Sequence, residues 1–224
     1  MQSFLTVAIP LLISAIAGAG KSMLCSSVIE SLKARCRWHK PYFSVVVYWY
    51  FSFASRETQS ISNFLCSIAR DLCSKVLTIP KVVEDLWLDA NNGQQRPSVS
   101  DLLSILRALL PNFDDVYLVV DAIDEYPRAH RDRLLRAIWS LISLNTECLH
   151  LLAVSRPEAD IQTSFKEIGR TAGGFREVKV QGTYVRQDIE KYLDHRLHST
   201  QFRNWSTGEK RDIKSILTSQ ADDM

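Results

Sequence analysis

No C-x-x-C pair occurs in the chain, and its five cysteines (Cys25, Cys36, Cys66, Cys73 and Cys148) are odd in number. That argues against a structural zinc site and against an even disulfide framework. Cys25 and Cys66 sit among apolar positions, where a free thiol behaves as a small hydrophobe, so the usage points to a reducing, cytoplasmic setting. An excess of charge of one sign is also lacking. Lys and Arg total 27 against 25 Asp and Glu, a net charge of +2, which predicts neither a nucleic-acid surface nor a membrane face. The short basic clusters Lys33–Arg37 and Arg128–Arg133 read as solvated helix faces. The apolar stretch Phe4–Ala19 is interrupted by Pro10, is short for a membrane span, and has no Lys or Arg before it as a signal peptide would. It is expected to stay in the mature chain; cleavage there would remove the glycine-rich loop discussed below. No repeat of fixed period is visible.

What is present suits a globular domain with a sizeable core: 46% hydrophobic and 23% charged residues over 224 positions. A short apolar run at Leu11–Ile13 leads into small residues and Lys21-Ser22. Leu24, Val28 and Leu32 then recur every four residues, predicting a helix over Lys21–Arg35. Phe43–Phe53, rich in β-branched and aromatic residues, predicts a strand, and its weak alternation suggests burial on both faces. That reading also takes Tyr48–Phe51 as strand rather than a base-stacking platform, since no basic residues interleave it. A helical stripe runs through Ile61, Phe64, Leu65, Ile68, Leu72 and Val76. A second, capped by Ser98 or Ser100, runs through Leu102, Leu103, Leu106 and Leu110. Val116–Val120 and Leu149–Val154 are further apolar strands, with a helix around Leu134–Ile142 between them and a fifth strand at Arg176–Val180. Strands alternating with helices predict an α/β fold: an open, mainly parallel sheet of about five strands with helices on both faces. A small helical segment follows, dividing the chain at 1–182 and 183–224.

Residues 15–22 read A-I-A-G-A-G-K-S between a strand and a helix. Small residues there let backbone N–H groups turn onto a phosphate, beside the positive end of the helix. Ala15, Gly18, Ala19, Gly20, Lys21 and Ser22 are therefore the candidate nucleotide-binding residues, with Lys21 reaching the β- and γ-phosphates and Ser22 a Mg²⁺ ligand. The stretch departs from G-x-x-x-x-G-K-[ST] at Ala15, which is tolerable where φ is negative. Taken alone it is also compatible with a glycine-rich strand-to-helix turn bearing an exposed lysine. A second group lies in V-Y-L-V-V-D-A-I-D-E, where an apolar strand ends in acids, the usual place for ligands in open α/β sheets. Asp121 is the candidate second Mg²⁺ residue, acting through water; Glu125 is the candidate base for the attacking water; Asp124 supports either. The plainer reading makes these acids caps for the helix near Arg131. Arg156, at the end of the fourth strand, is the candidate sensor or stabiliser of γ-phosphate charge. His195 and His198 lie three apart without partners at metal-ligand spacing beyond Asp194.

The segments A-G-A-G-K-S-M-L-C-S-S-V-I-E, V-Y-L-V-V-D-A-I-D-E-Y-P and L-H-L-L-A-V-S-R-P-E-A-D-I together resemble the NACHT domains of fungal STAND signalling NTPases, in the nephrocystin-3-like N-terminal form. The likeness extends over roughly 10–200, with T-Y-V-R-Q-D-I-E-K-Y similar to that family's approach to its helical subdomain. It implies a P-loop NTPase fold and a cytosolic switch that binds ATP or GTP with Mg²⁺. It also implies self-association through the NTPase domain and a chain end that breaks off before a winged-helix region. Two functions fit these residues: a nucleotide-dependent signalling switch with slow hydrolysis, and a nonhydrolysing interaction module that keeps the fold. Adenine and guanine are not distinguished.

Overall fold

The computed structural model describes residues 9–16, 18–38, 43–89, 93–144, 147–171, 173–180, 182–199 and 202–221. Residues 1–8, Ala17 of the glycine-rich stretch and the last three residues lie outside these, as do the side chains of 183–188. Five strands, β1 (Leu11–Ala15), β2 (Ser44–Tyr50), β3 (Asp115–Asp121), β4 (Leu149–Ser155) and β5 (Arg176–Val180), form one parallel sheet in the order β2-β3-β4-β1-β5. The helices are α1 (Lys21–Trp38), α2 (Ile61–Cys73), α3 (Lys81–Asp89), α4 (Val99–Leu109), α5 (Arg131–Ile142), α6 (Ala159–Thr171), α7 (Gly182–Leu197) and α8 (Thr207–Ala221).

The alternation of side chains along the strands splits the core in two. Leu12, Val47, Val116, Leu118, Val120 and Ala153 face α2, α4, α5 and α6, meeting Phe64, Leu106, Leu134, Ile138 and Phe165, all buried. Ile13, Val119, Leu152 and Val154 face the other way, onto Cys25 and Ile29 of α1. Helices thus cover both faces, as the apolar strands predict. The central strands β3 and β4 are buried almost throughout. β2 differs from the expectation: it is an edge strand whose burial alternates, with Tyr48 and Tyr50 more than a third exposed. Among the described residues no strand lies beyond it; its outer aromatics reach solvent, and the Lys33 ammonium lies 5.0 Å from the Tyr48 ring centroid.

Local chemistry places the boundaries. Ser98, rather than Ser100, caps α4: its hydroxyl accepts the Asp101 N–H while the Asp101 carboxylate accepts the Ser98 N–H, a reciprocal capping box. Ser60 caps α2 by accepting from Asn63 N–H. Two helices go beyond the sequence reading. α6 buries Ile161, Phe165 and Ile168, one helical stripe, against the core. α3 buries no residue fully, leaving Trp87 and Leu88 exposed. The Lys214 ammonium joins α8 to Asp194 of α7 at 2.6 Å. Among the described residues no helix is long and apolar enough to cross a membrane.

Candidate functional site

Parallel strands put all their carboxyl ends on one edge, and the sheet order decides what meets there. β4 lies between β1 and β3, with Ser14 opposite Ser155 and Val120 opposite Ala153. The segments after β1, β4 and β3 therefore emerge side by side.

The loop after β1 turns at Gly18 and Gly20, each at φ +76°, in the left-handed region. A Cβ at either would meet nothing within 4 Å, so it is conformation and not crowding that calls for glycine. Ala15, the departure from the usual loop pattern, ends β1 with extended backbone and is buried, so its methyl group fits. Ala19 N–H donates to the Ile16 carbonyl at 3.4 Å, and the Gly20 carbonyl accepts the Leu24 N–H, opening α1. No acid occupies the first turn of α1, leaving its positive end uncompensated. The Lys21 ammonium folds back onto the Ala15 and Ile16 carbonyls at 3.2 and 2.8 Å. Ser22 is exposed beside it.

The acids lie within electrostatic reach of that lysine. Burial lowers the Lys21 ammonium below the usual lysine value; the Asp124 carboxylate opposes this, Arg156 reinforces it, and Asp121 and Glu125 oppose it further. Asp121, only 1% exposed, ends β3. One of its oxygens accepts the Ala122 N–H at 2.9 Å, and its carboxylate lies near the buried Cys25 thiol of α1. Burial first, then the nearby Asp121 carboxylate, pushes Cys25 up to about 12. Cys25 stands three residues past Ser22, so both lie on one side of α1. The contact therefore brings Asp121 against the turn of α1 that carries Ser22.

The backbone then bends sharply. Ala122 has φ 57° and ψ 46°, a left-handed conformation rare for a residue with a side chain. It swings the 3₁₀ turn Ile123–Glu125 away from the strand and divides the acids. Asp124 turns toward β4, where it accepts Arg156 N–H at 2.9 Å and pairs with the Arg156 guanidinium at 3.1 Å. Glu125 turns toward the segment after β2 and accepts Phe53 N–H at 3.1 Å. Neither acid caps α5, whose N-cap His130 makes no side-chain capping bond.

Three contributors to this arrangement were not among the sequence candidates. Cys25 reads from the sequence as a packing residue alone. Phe53 is 72 residues from Glu125, and a backbone N–H carries no sequence signal. Arg131, 4% exposed, donates to the Asp124 and Tyr126 carbonyls at 2.7 and 3.3 Å, with its other arm on both Asp160 oxygens. It pins the acidic turn to the start of α6. Its signal was available in part, since an arginine just after an acid-rich turn has partners close in sequence.

The sequence profile of the family described as Nephrocystin 3, N-terminal, matches residues 7–156, a span that includes the loop, the acids and Arg156. The chain belongs to that family. Among solved structures it is similar to the Aeropyrum pernix ORC1 protein in complex with DNA, at 16% identity and a TM-score of 0.55, over 84% of this chain and 44% of that one. Cdc6p from Pyrobaculum aerophilum matches at 16% identity and TM-score 0.49, over 82% and 41% of the two chains. AMPPCP-bound DnaA from Aquifex aeolicus matches at 13% and 0.40, over 85% and 46%. The ORC1 likeness supports a shared P-loop NTPase fold. This chain spans less than half the length of these proteins. No protein of curated function matches it. The expectation that nucleic acid is not a partner gains no support from these matches.

Proposed function

We propose that this domain is a nucleotide-dependent switch of the NACHT type, binding ATP or GTP with Mg²⁺ and hydrolysing it slowly. The observation that carries the reading is the convergence of the Lys21 ammonium with Asp121, Asp124, Glu125 and Arg156 at one edge of the sheet, beside a loop whose glycines adopt φ +76°. A nucleotide triphosphate suits this edge. The exposed amides of the loop and the positive end of α1 face the phosphates, and Lys21 exchanges two carbonyl partners for phosphate oxygens. The donor set fits Mg²⁺, a hydroxyl from Ser22 and a carboxylate from Asp121, both oxygen ligands. When bound, Mg²⁺ neutralises charge on the phosphates.

Glu125 then positions and deprotonates the attacking water, while Asp124 holds Arg156 at the γ-phosphate end of the site to meet developing charge. Ala15, Gly18, Ala19 and Gly20 shape the cradle. In this reading 1–182 is the nucleotide domain and 183–224 opens a helical region of a cytosolic fungal STAND protein that self-associates through the nucleotide domain. A nonhydrolysing module is the second reading, favoured by one observation: the Glu125 carboxylate is already engaged by Phe53 N–H.

The test is titration with fluorescent ATP and GTP, with and without Mg²⁺. Lys21→Ala is expected to weaken binding at least tenfold, about 1.4 kcal/mol; equal affinity refutes the phosphate-loop assignment. Ser22→Ala and Asp121→Ala are expected to weaken it chiefly when Mg²⁺ is present. In single-turnover assays, Glu125→Gln is expected to bind as tightly as the parent and hydrolyse at least roughly tenfold more slowly. A parent that binds nucleotide without Glu125-dependent turnover establishes the nonhydrolysing reading.

A further inference from the structure

Arg131 opens α5 and is 4% exposed, a depth at which a guanidinium persists only where it is paired. Its two ends serve different elements. Nη2 donates to the Asp124 and Tyr126 carbonyls, in and just after the acidic turn, at 2.7 and 3.3 Å. Nη1 donates to both Asp160 oxygens in the first turn of α6, at 3.2 and 3.0 Å, with the Glu158 carboxylate 3.9 Å away. Nε is buried too, and among the described residues it has no partner. A buried donor left unsatisfied is costly, so the guanidinium is placed to span turn and helix rather than to satisfy every donor.

The same two elements meet a second time. The Asp124 carboxylate accepts Arg156 N–H at 2.9 Å and pairs with its guanidinium at 3.1 Å. Only Pro157, Glu158 and Ala159 separate Arg156 from Asp160, and that segment is stiff. Pro157 has its φ fixed by its ring. The Arg156 carbonyl accepts Glu158 N–H at 2.8 Å, and the Glu158 carbonyl accepts Gln162 N–H at 3.0 Å to open α6. The path from Asp124 to Arg156, along the chain to Asp160 and back through Arg131 therefore closes on itself.

We propose that Arg131 is a positioning residue: together with Asp160 it fixes Arg156 and the acidic turn in one relative placement. Its bond to Asp124 is to the backbone carbonyl, so it governs where the turn lies, and the Asp124 carboxylate and Arg156 follow. A plain ion pair between α5 and α6 would use the Asp160 contact alone and leave the turn free. The arm on the two carbonyls extends the connection to the site. Lysine cannot reproduce it, since one ammonium lacks the planar fork that reaches both sides.

What the held residues do rests on the nucleotide-switch reading; whether they are held does not, and two measurements keep these apart. The first is hydrogen exchange by NMR without nucleotide. Arg131→Lys is expected to speed exchange of the Arg156 amide about tenfold or more, and Asp160→Asn several-fold, while the Val119 and Leu152 amides of the central strands stay within roughly twofold of the parent. Asp160 is partly exposed, so its variant folds even if the buried substitution does not. The second is single-turnover hydrolysis of ATP or GTP. Arg131→Lys is expected to slow it about tenfold or more with nucleotide affinity held within about threefold, a split that a merely structural role does not produce. Combined with Arg156→Ala, it is expected to slow turnover by less than the product of the two single effects, because Arg131 acts through Arg156. The proposal falls if the Arg156 amide keeps the parent's exchange rate in both variants. It falls equally if the central-strand amides speed up alongside it, or if turnover and affinity drop together. A parent that binds no nucleotide overturns the switch reading instead, and the exchange measurement alone then decides whether Arg131 holds Arg156.

Discussion

Replacing Asp124 and Arg156 singly and together tests whether the acidic turn is held to the end of β4 by their contact. The pair is unequal: the Asp124 side chain is 6% exposed and that of Arg156 49%, with a closest N–O distance of 3.1 Å. Exposed ion pairs contribute about 0.2–1 kcal/mol, whereas hydrogen bonds to charged groups contribute about 1.5–3 kcal/mol. Water screens one partner here and hardly reaches the other, so the coupling is expected at about 1–2 kcal/mol. The single variants should differ because of what each leaves behind. Arg156→Gln strands a buried carboxylate with only the backbone N–H at 2.9 Å to satisfy it, a cost of about 2 kcal/mol. Asp124→Asn keeps the size and an acceptor for that N–H, and it releases a half-exposed guanidinium to water, a cost of about 1 kcal/mol. Urea unfolding at neutral pH gives all four corners of the cycle, and in a chain of this size each kcal/mol moves Tm by roughly 2–4 °C. Additivity within about 0.3 kcal/mol refutes the coupling. An Asp124 variant less stable than the Arg156 variant refutes the asymmetry.

Ala122 and Cys25 give two further predictions. A left-handed alanine costs roughly 1–2 kcal/mol, while glycine costs roughly 0.5–1 kcal/mol in chain entropy. Ala122→Gly is therefore expected to be neutral or stabilising by up to about 1 kcal/mol, and the β-branched Ala122→Val to destabilise by about 2 kcal/mol or more. A glycine variant that loses more than about 1 kcal/mol in urea unfolding contradicts this. Cys25 is fully buried and raised to about 12, so maleimide at mildly alkaline pH is expected to label the partly exposed Cys36, Cys66 and Cys73 well before it. Unfolded, its thiol ionises from 9.0 while the folded one keeps its proton to about 12, so stability should fall as pH rises through that window. Peptide mapping that finds Cys25 labelled among the first refutes the buried contact with Asp121.

What the sequence disclosed and what it withheld divide along the distance between interacting residues. Four of the strands were legible because each carries an apolar run, and Arg176–Val180, which alternates charged residues with valine, was bounded as the structure has it. The stripe Ile161, Phe165 and Ile168 was equally regular, and α6 could have been read from it. α3 offered no such stripe to the core, since it buries nothing fully. The candidate residues were legible as types, because a glycine-rich turn before Lys-Ser and acids after an apolar strand are local patterns. Their partners were not. Asp121 lies near Cys25 of α1, Asp124 is held by Arg156 after β4, and Glu125 by Phe53 after β2. Nothing local encodes those pairings; they follow from the sheet order, which sets β4 between β1 and β3 and leaves β2 outside. The left-handed step at Ala122 distributes the acids among the three neighbours. A turn whose acids are each tied to a different element cannot rearrange at one of them without disturbing the element that holds it. A triphosphate that draws Lys21 off the Ala15 and Ile16 carbonyls would therefore be felt at once in α1, in β4 and in the segment after β2. In the proposed switch reading, that mechanical link, rather than any single residue of the loop, is what would carry a change at the phosphates to the neighbouring elements.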